Sequence, residues 1–194
     1  MTYKKITIWS TKGGVGKTSI CAELHFRLGF PVVTNEEDSM LSTVIDNDCL
    51  KILKPKEKIQ NYNNNILFDF GGYIDNRIIN ALEQSNYIII PTIPSILDIQ
   101  GCLNTVKIVE KYNSNIVIII NKTDKKDDYN NVIKIFDDLK INKIFEIKKS
   151  SAFQNIFIKQ KSIKEIIKLN PLFRYSYNKL DKQLQVIVDY FTLK

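Results

Sequence analysis

A chain of 194 residues, 44% hydrophobic and 25% charged, has the length of one domain (1–194) and the composition of an ordinary globular one. Cys21, Cys49, Cys102 and the single His25 show no metal-ligand spacing, which argues against a zinc site and fits a reducing cytoplasm. Neither the stretch after Lys4-Lys5 nor any other apolar run is long enough for a signal peptide or a bilayer span. Short continuous apolar runs predict strands at 6–9, 31–34, 65–70, 87–90, 116–120 and 143–147, and their lack of alternation fits strands covered on both faces. Helices are expected at 17–28, 74–84, 95–112, 128–139, 151–157, 162–169 and 171–192, the last opening on Pro171. This order predicts an α/β fold, a mostly parallel sheet with helices on both faces and its ligand at the carboxyl ends of the strands.

Directly after the first run comes Lys12-Gly13-Gly14-Val15-Gly16-Lys17-Thr18-Ser19. The order strand, glycine loop, Gly-Lys-Thr and helix reads as a phosphate-binding loop of a P-loop NTPase. Backbone N–H groups of 13–19 and the start of the helix cradle phosphates, Lys17 supplies a point charge, and the Thr18 hydroxyl is placed to ligate magnesium. The standard first glycine is replaced by Thr11, and a second lysine, Lys12, stands ahead of the paired glycines.

That pattern resembles the deviant Walker A loop of the ParA/MinD family of ATPases. The resemblance implies ATP and magnesium as cofactors, and a nucleotide sandwich dimer in which Lys12 of each copy reaches the other's phosphates. Asp69, ending the run 66–69 before Gly71-Gly72, resembles a Walker B carboxylate that holds a magnesium-bound water beside a switch loop. The second strand departs from the family's D-x-D. Counting from the Gly29 turn makes Asp38 the candidate for positioning the attacking water, with Glu36 in reserve. The stretch Ile90-Pro91-Thr92-Ile93-Pro94-Ser95-Ile96-Leu97-Asp98 is similar to that of the short, ParF-like partition proteins, and Ser95 is expected to cap the following helix.

Asn121-Lys122-Thr123-Asp124 fits two readings: the guanine-reading N-K-x-D of GTPases, or the Asn that ParA-like ATPases place against adenine. The loop with Lys12 favours ATP. From Lys140 onward the chain is basic, with Lys143, Lys148, Lys149, Lys159, Lys161, Lys164, Lys168, Arg174, Lys179, Lys182 and Lys194 against Glu146, Glu165, Asp181 and Asp189. Net charge is +7, and this balance points to an anionic partner. The resemblance makes it nonspecific DNA, bound through Lys148, Lys149, Lys159, Lys161 and Lys164. It also implies a ParB-like centromere-binding partner that stimulates hydrolysis, and a cytoplasmic protein that is nucleoid-associated when ATP-bound. No helix-turn-helix segment precedes Lys4, so operator recognition is not expected. Leu180, Leu184, Ile187 and Phe191 form one apolar stripe on the terminal helix, expected to pack into the core; stable membrane association is therefore not expected. A MinD-like positioning ATPase and a metabolic phosphotransfer or ligase enzyme of the same fold are the alternatives.

Overall fold

The computed structural model describes residues 3–74, 76–137, 139, 141 and 143–193. Seven strands form one sheet: β1 (Lys5–Ile8), β2 (Val32–Thr34), β3 (Leu50–Ile52), β4 (Ile66–Asp69), β5 (Tyr87–Thr92), β6 (Ile116–Thr123) and β7 (Lys143–Lys148). They run β3-β2-β4-β1-β5-β6-β7 across the sheet, and every pairing is parallel. The helices are α1 (Lys17–Leu28), α2 (Asn76–Gln84), α3 (Ile96–Val109), α4 (Asp128–Phe136), α5 (Ala152–Lys159), α6 (Ile163–Ile166) and α7 (Pro171–Thr192).

The unbroken apolar character of the strands follows from this layering. Ile6, Ile8, Leu67, Ile89, Val117, Ile119 and Ile147 face a core shared with α1, α5, α6 and α7. Their neighbours Phe68, Ile88, Ile90, Ile116, Ile118 and Ile120 face the opposite core, built with α2, α3 and α4. Apolar side chains on both faces leave no polar register for a parallel strand. On α7 the stripe Leu180, Leu184, Ile187 and Phe191 is buried, and Phe191 meets Tyr87 of β5 edge-on. The stripe is thus core, and no helix among the described residues is long and apolar enough to cross a membrane.

Several expected boundaries shift. β3 has no counterpart among the expected strands; it is a three-residue edge strand whose side chains are half-buried or exposed. The helix expected over 162–169 contracts to α6, opened by a capping box in which Ser162 and Glu165 satisfy each other's backbone N–H groups. Asn170 then caps α7 through the Phe173 N–H. Ser95 caps α3 as expected, accepting from the Asp98 N–H. Position 138 of the expected fourth helix, and Lys140 and Lys194 of the basic stretch, lie outside the described residues.

Strand order places the ligand site. β1 lies between β4 and β5, and the chain winds to opposite sides of it. A crevice opens where the winding reverses, at the carboxyl end of β1.

Candidate functional site

At that end the chain turns from Ser10 into α1. Gly14 and Gly16 have φ of 74° and 100°, left-handed conformations that side chains resist. At Gly16 a Cβ would also run into the amide of Asn121. Gly16 caps α1 without a side chain, and no acidic residue sits in the first turn. The free N–H groups of α1 therefore face outward, suited to an anion. They open on a cavity of about 950 Å³, whose wall includes Gly13, Gly14, Gly16, Lys17, Thr18 and Ser19, a volume suited to a nucleotide.

The loop is braced from two sides. From beneath, the Asn121 amide donates to the Val15 carbonyl at 2.9 Å, and Lys122 Nζ donates to the Gly14 carbonyl at 2.9 Å. A register shift in β6 between Ile120 and Thr123, with Lys122 at φ 58°, turns both side chains toward the loop. From the side, the Thr11 N–H donates to Thr105 Oγ1, which itself donates to the Gly101 carbonyl of α3.

Charge within the site is concentrated and poorly hydrated. Lys17 is buried, and its Nζ donates to the Lys12 carbonyl at 3.0 Å. Burial lowers its pKa, opposed by the carboxylates of Asp69 and Glu36. Asp69 ends β4, and among the described residues neither of its carboxylate oxygens has a partner in good hydrogen-bond geometry, although the Thr18 hydroxyl lies close enough to act on it. Burial raises its pKa to about 7; the Thr18 hydroxyl and Lys17 pull downward, and Glu36 adds to the rise. Two orphaned buried carboxylate oxygens beside a threonine fit a hydrated magnesium ion. Among the described residues no three acidic, His or Cys side chains cluster as a metal cage, so phosphate and water would supply most ligands. Beside Asp69, Gly71 is held at both backbone groups: its N–H donates to Asn35 Oδ1, and its carbonyl accepts from Trp9 Nε1, each at 2.9 Å.

Most residues expected here from sequence come together, and several are placed differently. Val15 is buried and turns its carbonyl to Asn121. Asp38 is exposed and absent from the cavity wall, whereas Glu36 lines it. Asn121, expected against the base, lies under the loop, its Oδ1 taking the Lys122 N–H as its amide holds Val15. Lys148, expected on DNA, pairs with Glu146 at 2.8 Å. Lys149 lines the cavity, 3.4 Å from Asp124. Lys159, Lys161 and Lys164 are exposed on α5, α6 and the turn between them. Lys12 does not line the cavity; its stem lies across α3 at Gly101. Gly101 and Thr105 carried no local signal in the sequence, because they matter only through a loop 90 residues away.

The family model for the CobQ/CobB/MinD/ParA nucleotide-binding domain matches residues 6–163. No curated protein sequence is similar to the chain. Among solved structures, apo McdA from Cyanothece superposes with a TM-score of 0.73 at 12% identity, covering 98% of this chain and 99% of that one. MinD from Pyrococcus horikoshii OT3, complexed with Mg-ADP, gives 0.66 at 15% identity over 98% and 99%. A ParA family ATPase from Chlorobium tepidum TLS gives 0.61 at 18% identity over 97% and 98%. At such identities the likeness speaks for the fold, that of the MinD/ParA P-loop NTPases.

Proposed function

Because the chain belongs to the CobQ/CobB/MinD/ParA nucleotide-binding family, we propose that it is a magnesium-dependent ATPase that segregates DNA. ATP closes two copies face to face, the closed pair binds DNA without reading sequence, and a ParB-like partner releases it by stimulating hydrolysis. Lys17 and the first-turn N–H groups of α1 hold the phosphates. Thr18 and, through water, Asp69 would hold magnesium, which would supply positive charge to the phosphates. Glu36 takes the water-positioning role first expected of Asp38, because it lines the cavity and lies close enough to Lys17 for its charge to act on that lysine. Lys122 and Asn121 keep the loop in shape, and Lys149 and Asp124 also line the cavity.

The observation that carries the DNA part is the outward face of α7. Pro171, Arg174, Tyr175, Asn178, Lys179 and Lys182 share it, and all are exposed. The two acidic residues of α7 are tied elsewhere: Asp181 to Arg27, and Asp189 to Gln185. What remains is a helical face of cations around an aromatic ring that is 92% exposed, suited to a phosphodiester backbone. Exposed Lys159, Lys161, Lys164 and Lys168 precede it in the chain. Pairing two copies doubles this surface and raises avidity without new contacts.

The test is binding to a random-sequence duplex with ATP, ADP or GTP across a salt series. Binding with ATP alone, lost steeply as salt rises, supports the reading. Absence of binding with every nucleotide overturns its DNA part and points to anionic vesicles as the next ligand.

A further inference from the structure

Glycine inside a helix is less stable than alanine, yet Gly101 sits buried well within α3. It does not line the nucleotide cavity. Its neighbour explains it. The aliphatic stem of Lys12 lies directly on the helix there: a Cβ on Gly101 would overlap Lys12 Cγ and stand 2.8 Å from Cδ and 3.2 Å from Cε. These are the root and middle of the side chain, so a methyl group would force the whole stem to another course.

The backbone around Lys12 offers no slack to absorb such a change. Its N–H donates to Ser10 Oγ at 3.3 Å, and its carbonyl is held by Lys17 Nζ. The preceding residue is tied to α3 through Thr105 and through the Gly101 carbonyl. The stem runs across α3 and off the wall of its own cavity. Settling a long side chain in one lane before association removes freedom that would otherwise be lost on association.

We propose that Gly101 is a positioning residue for Lys12: by lacking a side chain it holds that lysine out of its own phosphate cavity, poised for the nucleotide of a second copy. This rests on the reading in which two copies close over ATP.

The test compares the full chain with Gly101→Ala, Lys12→Ala and the double variant. Sedimentation velocity with a non-hydrolysable ATP analogue measures pairing, and nucleotide titration of the dilute chain measures monomer binding. Gly101→Ala is expected to weaken pairing at least about tenfold while monomer affinity stays within about twofold. At concentrations raised until the Lys12→Ala pair is measurable, adding Gly101→Ala is expected to cost nothing further, as two residues acting through one contact require. Alanine favours the helix, so a thermal melt of Gly101→Ala no lower than the parent's checks the fold. Unchanged pairing in Gly101→Ala beside lost pairing in Lys12→Ala overturns the proposal and leaves the paired reading intact. An effect of Gly101→Ala that persists in full without Lys12 also overturns it. Unaltered pairing in Lys12→Ala sinks the trans-lysine reading itself, and this proposal with it.

Discussion

At Asp69, burial and the proposed magnesium binding act on the same proton in opposite directions. Burial raises the carboxyl from the ordinary 3.8 to about 7, and a magnesium shell requires it ionised. In the chain without nucleotide the folded state therefore holds the proton more tightly than the unfolded state. Stability from this group is present below the unfolded value and is lost as pH rises from about 4 to about 7. Urea midpoints of the free chain should fall across that window, and Asp69→Asn should flatten the slope. Magnesium-dependent nucleotide affinity should instead rise with pH through about 7, and calorimetry in two buffers should show proton release on binding.

Glu36 and Asp38 separate by their position. Glu36→Gln is expected to bind ATP and slow single-turnover hydrolysis by about a hundredfold or more, the scale of a lost water-orienting base. Asp38→Asn, altering an exposed side chain off the cavity wall, should leave hydrolysis unchanged. The reverse result would return the role to Asp38. Counting from the Gly29 turn favours Asp38 and the fold favours Glu36, and the difference has a physical reason. β2 ends at Thr34, and Asn35 folds inward to accept the Gly71 N–H; Glu36 follows at the cavity wall, and Glu37 and Asp38 are left in solvent. That partner lies 36 residues away, beyond what local spacing can convey. The phosphate loop was legible because all its parts are contiguous. Its braces at Thr105, Gly101 and Lys122 were not.

Among the elements, α7 and α1 share the work of closing one face of the sheet. Leu184, 1% exposed, should cost about 2–5 kcal/mol when cut to alanine, read as a shift in urea midpoint. Val186, 56% exposed on the same helix, should change stability by no more than about 0.5 kcal/mol. Glu23 of α1 is fully buried; it pairs with Arg27, which also pairs with Asp181 of α7, and it accepts from the Ile163 N–H at the start of α6. Removing it as Glu23→Ala leaves a buried guanidinium short of a partner and should cost about 3–5 kcal/mol. In β1, β2, β4, β5 and β6 burial on both faces keeps nearly every position from solvent, so these strands could be read directly; β7 was expected from the same signal, yet as the opposite edge strand it buries only Phe145 and Ile147. β3 could not be read this way: its three residues, Leu50, Lys51 and Ile52, belong to an exposed edge and are strand only because β2 pairs with them. The kink in β6 at Asn121 is equally invisible locally, since it is defined by register against β7.

At the scale of the whole molecule the surplus charge matters more for where it is left unpaired than for its total. Lys148 and Lys149 meet Glu146 and Asp124, while Arg174, Lys179 and Lys182 share an exposed face of α7, with Glu146 near enough for Lys179 to act on its charge. Each cation that neutralises one phosphate adds about 0.9 to the slope of log affinity against log salt. Replacing the three α7 cations by alanine should therefore flatten it by about 2.7 per chain if each meets one phosphate. Lys149→Ala should change nucleotide affinity and leave the slope alone. Equal slopes for the triple variant and the parent would remove α7 from the DNA surface.

The bond between Trp9 and Gly71 also gives the protein an optical voice of its own. Trp9 is the chain's one tryptophan, fully buried, and its indole N–H donates to the carbonyl of Gly71, the first of the glycine pair that follows β4. Indole emission responds to that hydrogen bond, so a shift of Gly71 toward a γ-phosphate would alter the spectrum without any dye or tag. Mixed rapidly with ATP or ADP, the unlabelled chain should give two different emission traces, timing the loop in each nucleotide state; identical traces would mean that Gly71 stays where it is.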